Sequence, residues 1–462
     1  MSSGSSSGAS TGEELAQNPE AEKVLQYLER GAEDELRAYL EPFHPSDLAD
    51  LIESLEEDQR PRVLGVLPDE VASDTLAEME EIGHPEDLLI ADPSRVAELV
   101  QELSDDDAAD LLAELPEEKL REVLAQLPLT EAGEIRQLMA YDEESAGGVM
   151  TTEVISVRER ATVSEAIDEI RRQVSEGEDF YTVFVVDEVG RLQGTVSFQN
   201  LIISPPSKPI SELTEPSVAV VPATMDQEEV ARIMSRYNLV SVPVVDPLNR
   251  LIGRVTFDDI MDIVEAETTE DILRLSGTSA EEYLRGGVID AIRHRLPWLF
   301  VNLLTAFVAA GVVYLFQRTI ERAVILAVFM PIIAGMGGNA GTQALAVTVR
   351  RLALSQERSE ASRAVLKEVG VGLANGAAIG LAIALIGLVL PGGGAALGLV
   401  VMLAMWLNLA VAGSAGAFVP VVLERLGIDP AVASSVFVTT FTDLCGFFFL
   451  LGLATRFLLP NL

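Results

Sequence analysis

Cysteine occurs once, at Cys445, so neither a disulfide nor a cysteine-built metal cluster can form within one chain. Histidine is nearly as scarce, and His44, His84 and His294 are too scattered to suggest a site. Lysine is almost missing: Lys23, Lys119, Lys208 and Lys367 stand against 28 arginines. Basic charge as a whole is short, with 32 Lys and Arg against 72 Asp and Glu and a net charge of −40. Such acidity repels nucleic acid and anionic lipid and gathers cations, so no nucleic-acid partner is expected. Lysine poverty with excess acid also marks proteins of salty cytoplasms, and composition leaves both explanations open. There is no Walker motif and no pair of catalytic carboxylates, so nothing points to an enzyme. The opening MSSGSSSGASTG lacks the apolar core of a signal peptide and reads as a disordered leader or tag over residues 1–19.

What is present divides the chain in two. Seven of the acids and eleven of the bases lie after residue 290, so residues 1–290 carry −44 and residues 291–462 carry +4. Residues 20–140 contain short segments with leucines at helical spacing, each opened by Pro, Ser or Asp: 44–55, 92–103, 104–115 and 116–127. Their recurrence predicts an all-α superhelical N-domain. An internal repeat follows. Asp187, Arg191, Gly194 and Phe198 return as Asp246, Arg250, Gly253 and Phe257, a shift of 59 residues. Each copy reads as strand, turn, strand, helix, preceded by an amphipathic helix at 162–174 or 225–236. This order resembles a tandem pair of CBS domains, regulatory α/β modules that often bind adenine nucleotides. The first would span 141–203 and the second 204–265. The nucleotide pattern appears in the second copy as Thr256 and Asp259; the first departs from it with Ser197 and Asn200. An acidic connecting helix over 266–292, breaking near Gly277, leads to the apolar half at 293–462.

That half holds five apolar stretches: 297–316, 323–349, 368–390, 395–423 and 431–459. Each is long enough to cross a bilayer, which takes about 20 residues. Counting Arg and Lys in the connections places eight on the side of the N-terminal half and three on the other. The N-terminus is therefore expected inside and the C-terminus outside an inner cell membrane. Asp443 lies near the middle of the last stretch, beside Thr439, Thr440 and Thr442. A carboxylate at that depth is costly unless it meets water, a partner or an ion, so the residues point to a hydrated cation path; a protonated Asp bonded to a neighbouring helix is the bland alternative. Asn339, in the glycine-rich PIIAGMGGNAGTQ, and Asn408 are further polar candidates for the path. Asn408 also reads as an interhelical hydrogen-bond partner.

The motifs PIIAGMGGNAGTQ, KEVGVGLANG, NLAVAGSAGAFVP and DPAVASSVFVTTFTD, in this domain order, resemble the MgtE family of magnesium channels. The resemblance implies a homodimeric, Mg²⁺-selective uptake channel with five spans and Asp443 as the pore aspartate. It also implies that cytosolic Mg²⁺ closes the channel by binding to acids shared among the cytosolic elements. Local alignment gives Asp74, Asp106 and Asp110 in the N-domain, Asp259 and Asp262 after the second repeat, and Glu267, Glu270 and Asp271 on the connecting helix. Asn238 stands where relatives carry an acid. A secondary transporter exchanging a divalent cation for Na⁺ or H⁺ is the alternative reading, and a membrane-anchored nucleotide sensor a third.

Overall fold

The computed structural model describes residues 19–56, 58–79, 93–113, 115–174, 182–278, 288–354, 358–389, 394–426, 428–430 and 434–461. The expected leader lies outside them except for Pro19. The chain forms two compact units, Met1–Glu265 and Ala266–Leu462.

The first unit begins with short helices: α1 (Pro19–Arg30), α2 (Glu33–Leu40), α3 (Pro45–Glu53), α4 (Arg60–Leu64), α5 (Asp69–Ala77), α6 (Pro93–Val100), α7 (Asp105–Ala113), α8 (Glu117–Leu124) and α9 (Glu131–Leu138). The four periodic segments of the sequence are α3, α6, α7 and α8. Proline opens α3 and α6, where its missing N–H costs nothing. Ser104 caps α7, accepting from the Asp107 amide at 3.4 Å and donating to the Asp107 carboxylate at 2.7 Å. The leucines of the helical stripes turn inward. Leu48, Leu112 and Ile52 are fully buried, each contributing about 1.5–3 kcal/mol.

The two repeats have the same topology. In the first, β1 (Ser156–Arg158) is followed by α10 (Val163–Gln173), β2 (Val183–Val186), β3 (Leu192–Val196) and α11 (Phe198–Ile203). In the second, β4 (Val221–Pro222) is followed by α12 (Gln227–Tyr237), β5 (Ser241–Val245) and β6 (Leu251–Thr256). The first strand runs parallel to the second and the third antiparallel to it in both copies. The repeated aspartates close the same turn. Asp187 Oδ1 accepts from the amides of Val189 and Arg191, and Asp246 Oδ1 from those of Leu248 and Arg250. The two turns interlock: the Leu192 amide donates to the Asn249 carbonyl and the Leu251 amide to the Gly190 carbonyl, both at 3.0 Å.

The repeats also exchange their leading segments. Thr151 and Arg254 pair through both backbone bonds at 2.9 Å, so the segment before the first repeat joins the sheet of the second. Thr195 and Glu215 make the equivalent pair in the opposite sense. One core accordingly runs from Val96 through Leu138 and Met150 to Val221–Ile263, tying the later N-domain helices to the second repeat.

Helix α13 (Phe257–Ser276) begins directly after β6 and ends at Gly277, whose φ of +80° favours glycine. Residues 279–287 of the expected connecting helix lie outside the described residues, and Val288 already starts the next helix. The second unit is built from α14 (Val288–Leu315), α15 (Gln317–Arg322), α16 (Leu326–Leu354), α17 (Arg358–Val389), α18 (Ala395–Arg425) and α19 (Ser434–Leu453). The short α15 occupies what the sequence presents as a plain connection. Among the described residues four helices are both long and apolar enough to cross a membrane: Ala291–Leu315, Val365–Val389, Ala395–Arg425 and Ser435–Leu458. The fifth expected span, α16, has the length at 29 residues, but its glycines, Asn339, Thr342, Gln343 and terminal arginines lower its hydropathy.

Candidate ion path and acidic clusters

Asp443 sits midway along α19 and is half-buried. Its carboxylate makes no ion pair or side-chain hydrogen bond among the described residues. Thr439 and Thr440 lie one turn earlier, on the same face. Their hydroxyls donate back along the helix, Thr439 to the Ser435 carbonyl at 2.9 Å and Thr440 to the Val436 carbonyl at 2.6 Å. Thr442, fully buried, donates to the Thr439 carbonyl at 2.9 Å. With their protons so placed, the hydroxyl oxygens keep lone pairs for a cation or its water. On α16, Asn339 is exposed together with Gly335, Thr342 and Gln343, which share its face at helical spacing. Helix α16 meets α19 where Gly337 lies against Thr442 and Gly341 against Val438.

Asn408 is placed differently. It is fully buried, and its Nδ2 donates to the Ile333 carbonyl of α16 at 3.0 Å. A side chain on Gly337 would collide with that amide. Its Oδ1 is buried without a hydrogen-bond partner among the described residues. Asn408 therefore fastens α18 to α16 from within, and of its two sequence readings the geometry favours the interhelical one.

The first unit gathers carboxylates at the start of α7 and of α13. Asp106 is only 7% exposed, and its Oδ1 is buried without a hydrogen-bond partner among the described residues. Burial, with the Asp107 charge beside it, pushes its carboxyl up to about 6. Asp110 keeps an exposed face, yet desolvation where its carboxyl meets the fold and the charges of Asp106, Asp107, Glu143 and Asp259 push it up to about 7. Asp259 reaches about 7 through burial and Asp106, although Thr256 opposes the rise. The Thr256 hydroxyl donates to Asp259 Oδ2 at 2.5 Å, and the Thr256 amide donates to the same oxygen at 3.2 Å, tying off the start of α13. Asp262 is raised by burial, Glu78, Asp258 and Glu265. Asp74 is raised by burial and by Glu70, Glu78 and Glu102. Asp106, Asp110 and Asp259 are thus brought together, with Asp262 and Asp74 at a second focus around Glu78. Among the described residues no three of these groups converge as a finished chelate. The orphaned Asp106 oxygen and the mutual repulsion nevertheless suit a hydrated divalent cation, which binds through its waters. Sequence reasoning passed over Asp107, Glu143, Glu78 and Asp258. Only Asp107 carried a signal, sharing a face with Asp110 three residues on.

In the second unit, Glu270 is ion-paired with Arg274, which also pairs with Asp429 in the segment before α19. Asp271 is raised by burial and by Asp429, with Arg274 and Arg350 opposing. Glu267 lies one turn before Asp271 on the same helix.

Comparison with known proteins matches residues 330–453 to the MgtE family, described as divalent cation transporters. Residues 43–144 match the MgtE intracellular N domain, and residues 146–204 and 210–266 match CBS domains. The chain is 37% identical over 440 residues to the magnesium transporter MgtE of Thermus thermophilus, covering 94% of this chain and 97% of that one. It is 30% identical over 437 residues to the magnesium transporter MgtE of Bacillus subtilis, with the same coverage. A solved structure, the cytosolic domain of the Mg²⁺ channel MgtE in complex with ATP, is 37% identical and covers 53% of this chain and 99% of that one, at a TM-score of 0.49. By the family match over the membrane half and the identity along nearly the whole chain, the protein belongs to the MgtE family.

Proposed function

We propose that this protein is a Mg²⁺-selective uptake channel of the inner cell membrane, with its acidic half in the cytosol and its C-terminus outside. The observation that carries the reading is Asp443: a half-buried carboxylate without a partner among the described residues, at the centre of a membrane-length helix and beside threonine oxygens. One carboxylate is a weak Mg²⁺ site. Two across a two-fold axis can hold a hydrated ion through its waters, so the working form is a homodimer. Asn339, on the exposed polar face of α16, lines the approach, and Asn408 holds that helix from behind. The relatives named as magnesium transporters support Mg²⁺ as the ion.

Cytosolic Mg²⁺ closes the channel. It binds among Asp106, Asp110 and Asp259, offsets their repulsion and fixes the start of α13; Asp74, Asp262, Glu267, Glu270 and Asp271 add further acid along the same elements. Differential binding to the two states is what makes this a switch. An adenine nucleotide, ATP among them, is the second ligand proposed, at the CBS pair near Thr256 and Asp259.

Flux into liposomes carrying the full chain tests the reading. Currents reversing at the Mg²⁺ equilibrium potential are expected. Currents that instead follow a Na⁺ or H⁺ gradient would establish a secondary transporter. Mass measurement in detergent should give two chains.

A further inference from the structure

The end of α13 is held at three successive points, each by a different part of the second unit. Arg274 pairs with Asp429, in the segment between α18 and α19. Leu275 packs on Leu345 and Val349 of α16. Gly277 lies against the Trp298 indole of α14, so closely that a Cβ would collide with it. Of the three contacts only the first is ionic. Its partners are partly shielded, with side-chain exposures of 36% for Arg274, 29% for Asp429 and 25% for Glu270. The planar guanidinium reaches both carboxylates at once, a geometry an ammonium cannot copy. The charges facing this knot include Glu267, one of the acids acting on Arg274, Asp271, which Asp429 repels, and Arg350 at the end of α16. Asp429 lies five residues before α19, the helix that carries Asp443.

We propose that Arg274 is a positioning residue: it latches the end of the connecting helix to the segment that leads into the pore helix, so that a shift of α13 displaces α19. The inference rests on the gating reading above. Through the latch the binding state of the cytosolic acids reaches the pore; without it α13 moves and α19 does not follow. It exerts its effect through Asp429.

Patch recordings on the full-length protein, with Mg²⁺ set on the cytosolic face, read the ratio of current without and with millimolar Mg²⁺. The wild type should show a large ratio. Arg274→Gln and Asp429→Asn should each lower it by roughly tenfold, the scale of such couplings. The double variant should be no worse than either single one, and Arg274→Lys should recover part of the response. Elution volume and thermal midpoint in detergent accompany each variant. If both variants lose stability but keep the wild-type ratio, Arg274 is a structural pair and the latch fails. If Arg274→Gln sharpens closure by Mg²⁺, Glu270 and Asp429 form a cation site that Arg274 occupies, and the latch is again overturned. A wild type that ignores cytosolic Mg²⁺ removes the gating reading and the latch together, a result distinct from either.

Discussion

At the residue scale, the chain contrasts two kinds of carboxylate. Asp443 stands without a partner among the described residues, on a helix of membrane length. Asp443→Ala should nearly abolish Mg²⁺ uptake, with a drop of about tenfold for every 1.4 kcal/mol of ion stabilisation removed. Asp443→Asn keeps the shape, loses the charge and should also be impaired. Wild-type flux in both variants would take Asp443 out of the mechanism. The acids of the first unit crowd one another instead, and this gives stability a pH dependence of definite sign. Asp106, Asp110 and Asp259 hold their protons up to about 6, 7 and 7 in the folded chain, against 3.8 for a free carboxyl. The folded state therefore binds more protons than the unfolded one between about pH 4 and 7, and stability falls as pH rises through that window. Asp187 and Asp246 are shifted the other way by turn amides, but they are ionised in both states above pH 5 and do not oppose the trend there. In divalent-free buffer the thermal midpoint should be lower at pH 8 than at pH 5.5. Mg²⁺ should flatten the profile, and so should replacing the three aspartates by asparagine. A midpoint that rises with pH would contradict the clustering.

At the element scale, the sequence disclosed what is periodic or repeated. Leucine spacing located α3, α6, α7 and α8, and the 59-residue shift located two copies of one turn because both need an aspartate to receive two amides. Pairing between distant segments leaves no such trace. Nothing local in Thr151 announces that it pairs with Arg254, or in Glu215 that it pairs with Thr195. Asp106 and Asp110 are one turn apart and readable as a pair, whereas Glu143 joins them only through folding. Asn408 could not be assigned from sequence because a path-lining amide and a buried one look alike; only the Ile333 carbonyl distinguishes them. Gly253 offers a test of the exchange between the repeats. A Cβ there would meet the Thr151 carbonyl at 2.7 Å and the Met150 sulfur at 2.6 Å. Gly253→Val should destabilise the chain by about 1–3 kcal/mol, the usual cost of overpacking, measured as a lowered thermal midpoint. An unchanged midpoint would mean that this pairing is loose in solution.

For the molecule as a whole, the net charge of −44 over residues 1–290 has two explanations, ion sensing and adaptation to salt. They differ in what K⁺ does. If the acids bind Mg²⁺ specifically, millimolar Mg²⁺ should protect residues 140–150 from protease and K⁺ of equal ionic strength should not. Replacing Asp259, Glu267 and Asp271 by Ala should then leave the channel conducting at high cytosolic Mg²⁺. Equal protection by K⁺, with normal closure of the triple variant, would reduce the acidity to solvation. The exchange of leading segments between the repeats bears on how such a chain is made. Thr151 cannot complete its sheet until Arg254, 103 residues later, has been synthesised. At about 5–20 residues per second that interval lasts about 5–20 s. During it the core begun by Val96, Leu112 and Leu138 lacks the second repeat that covers it. The first unit therefore emerges from the ribosome unfinished, closing over that core only as the acidic helix α13 begins to appear.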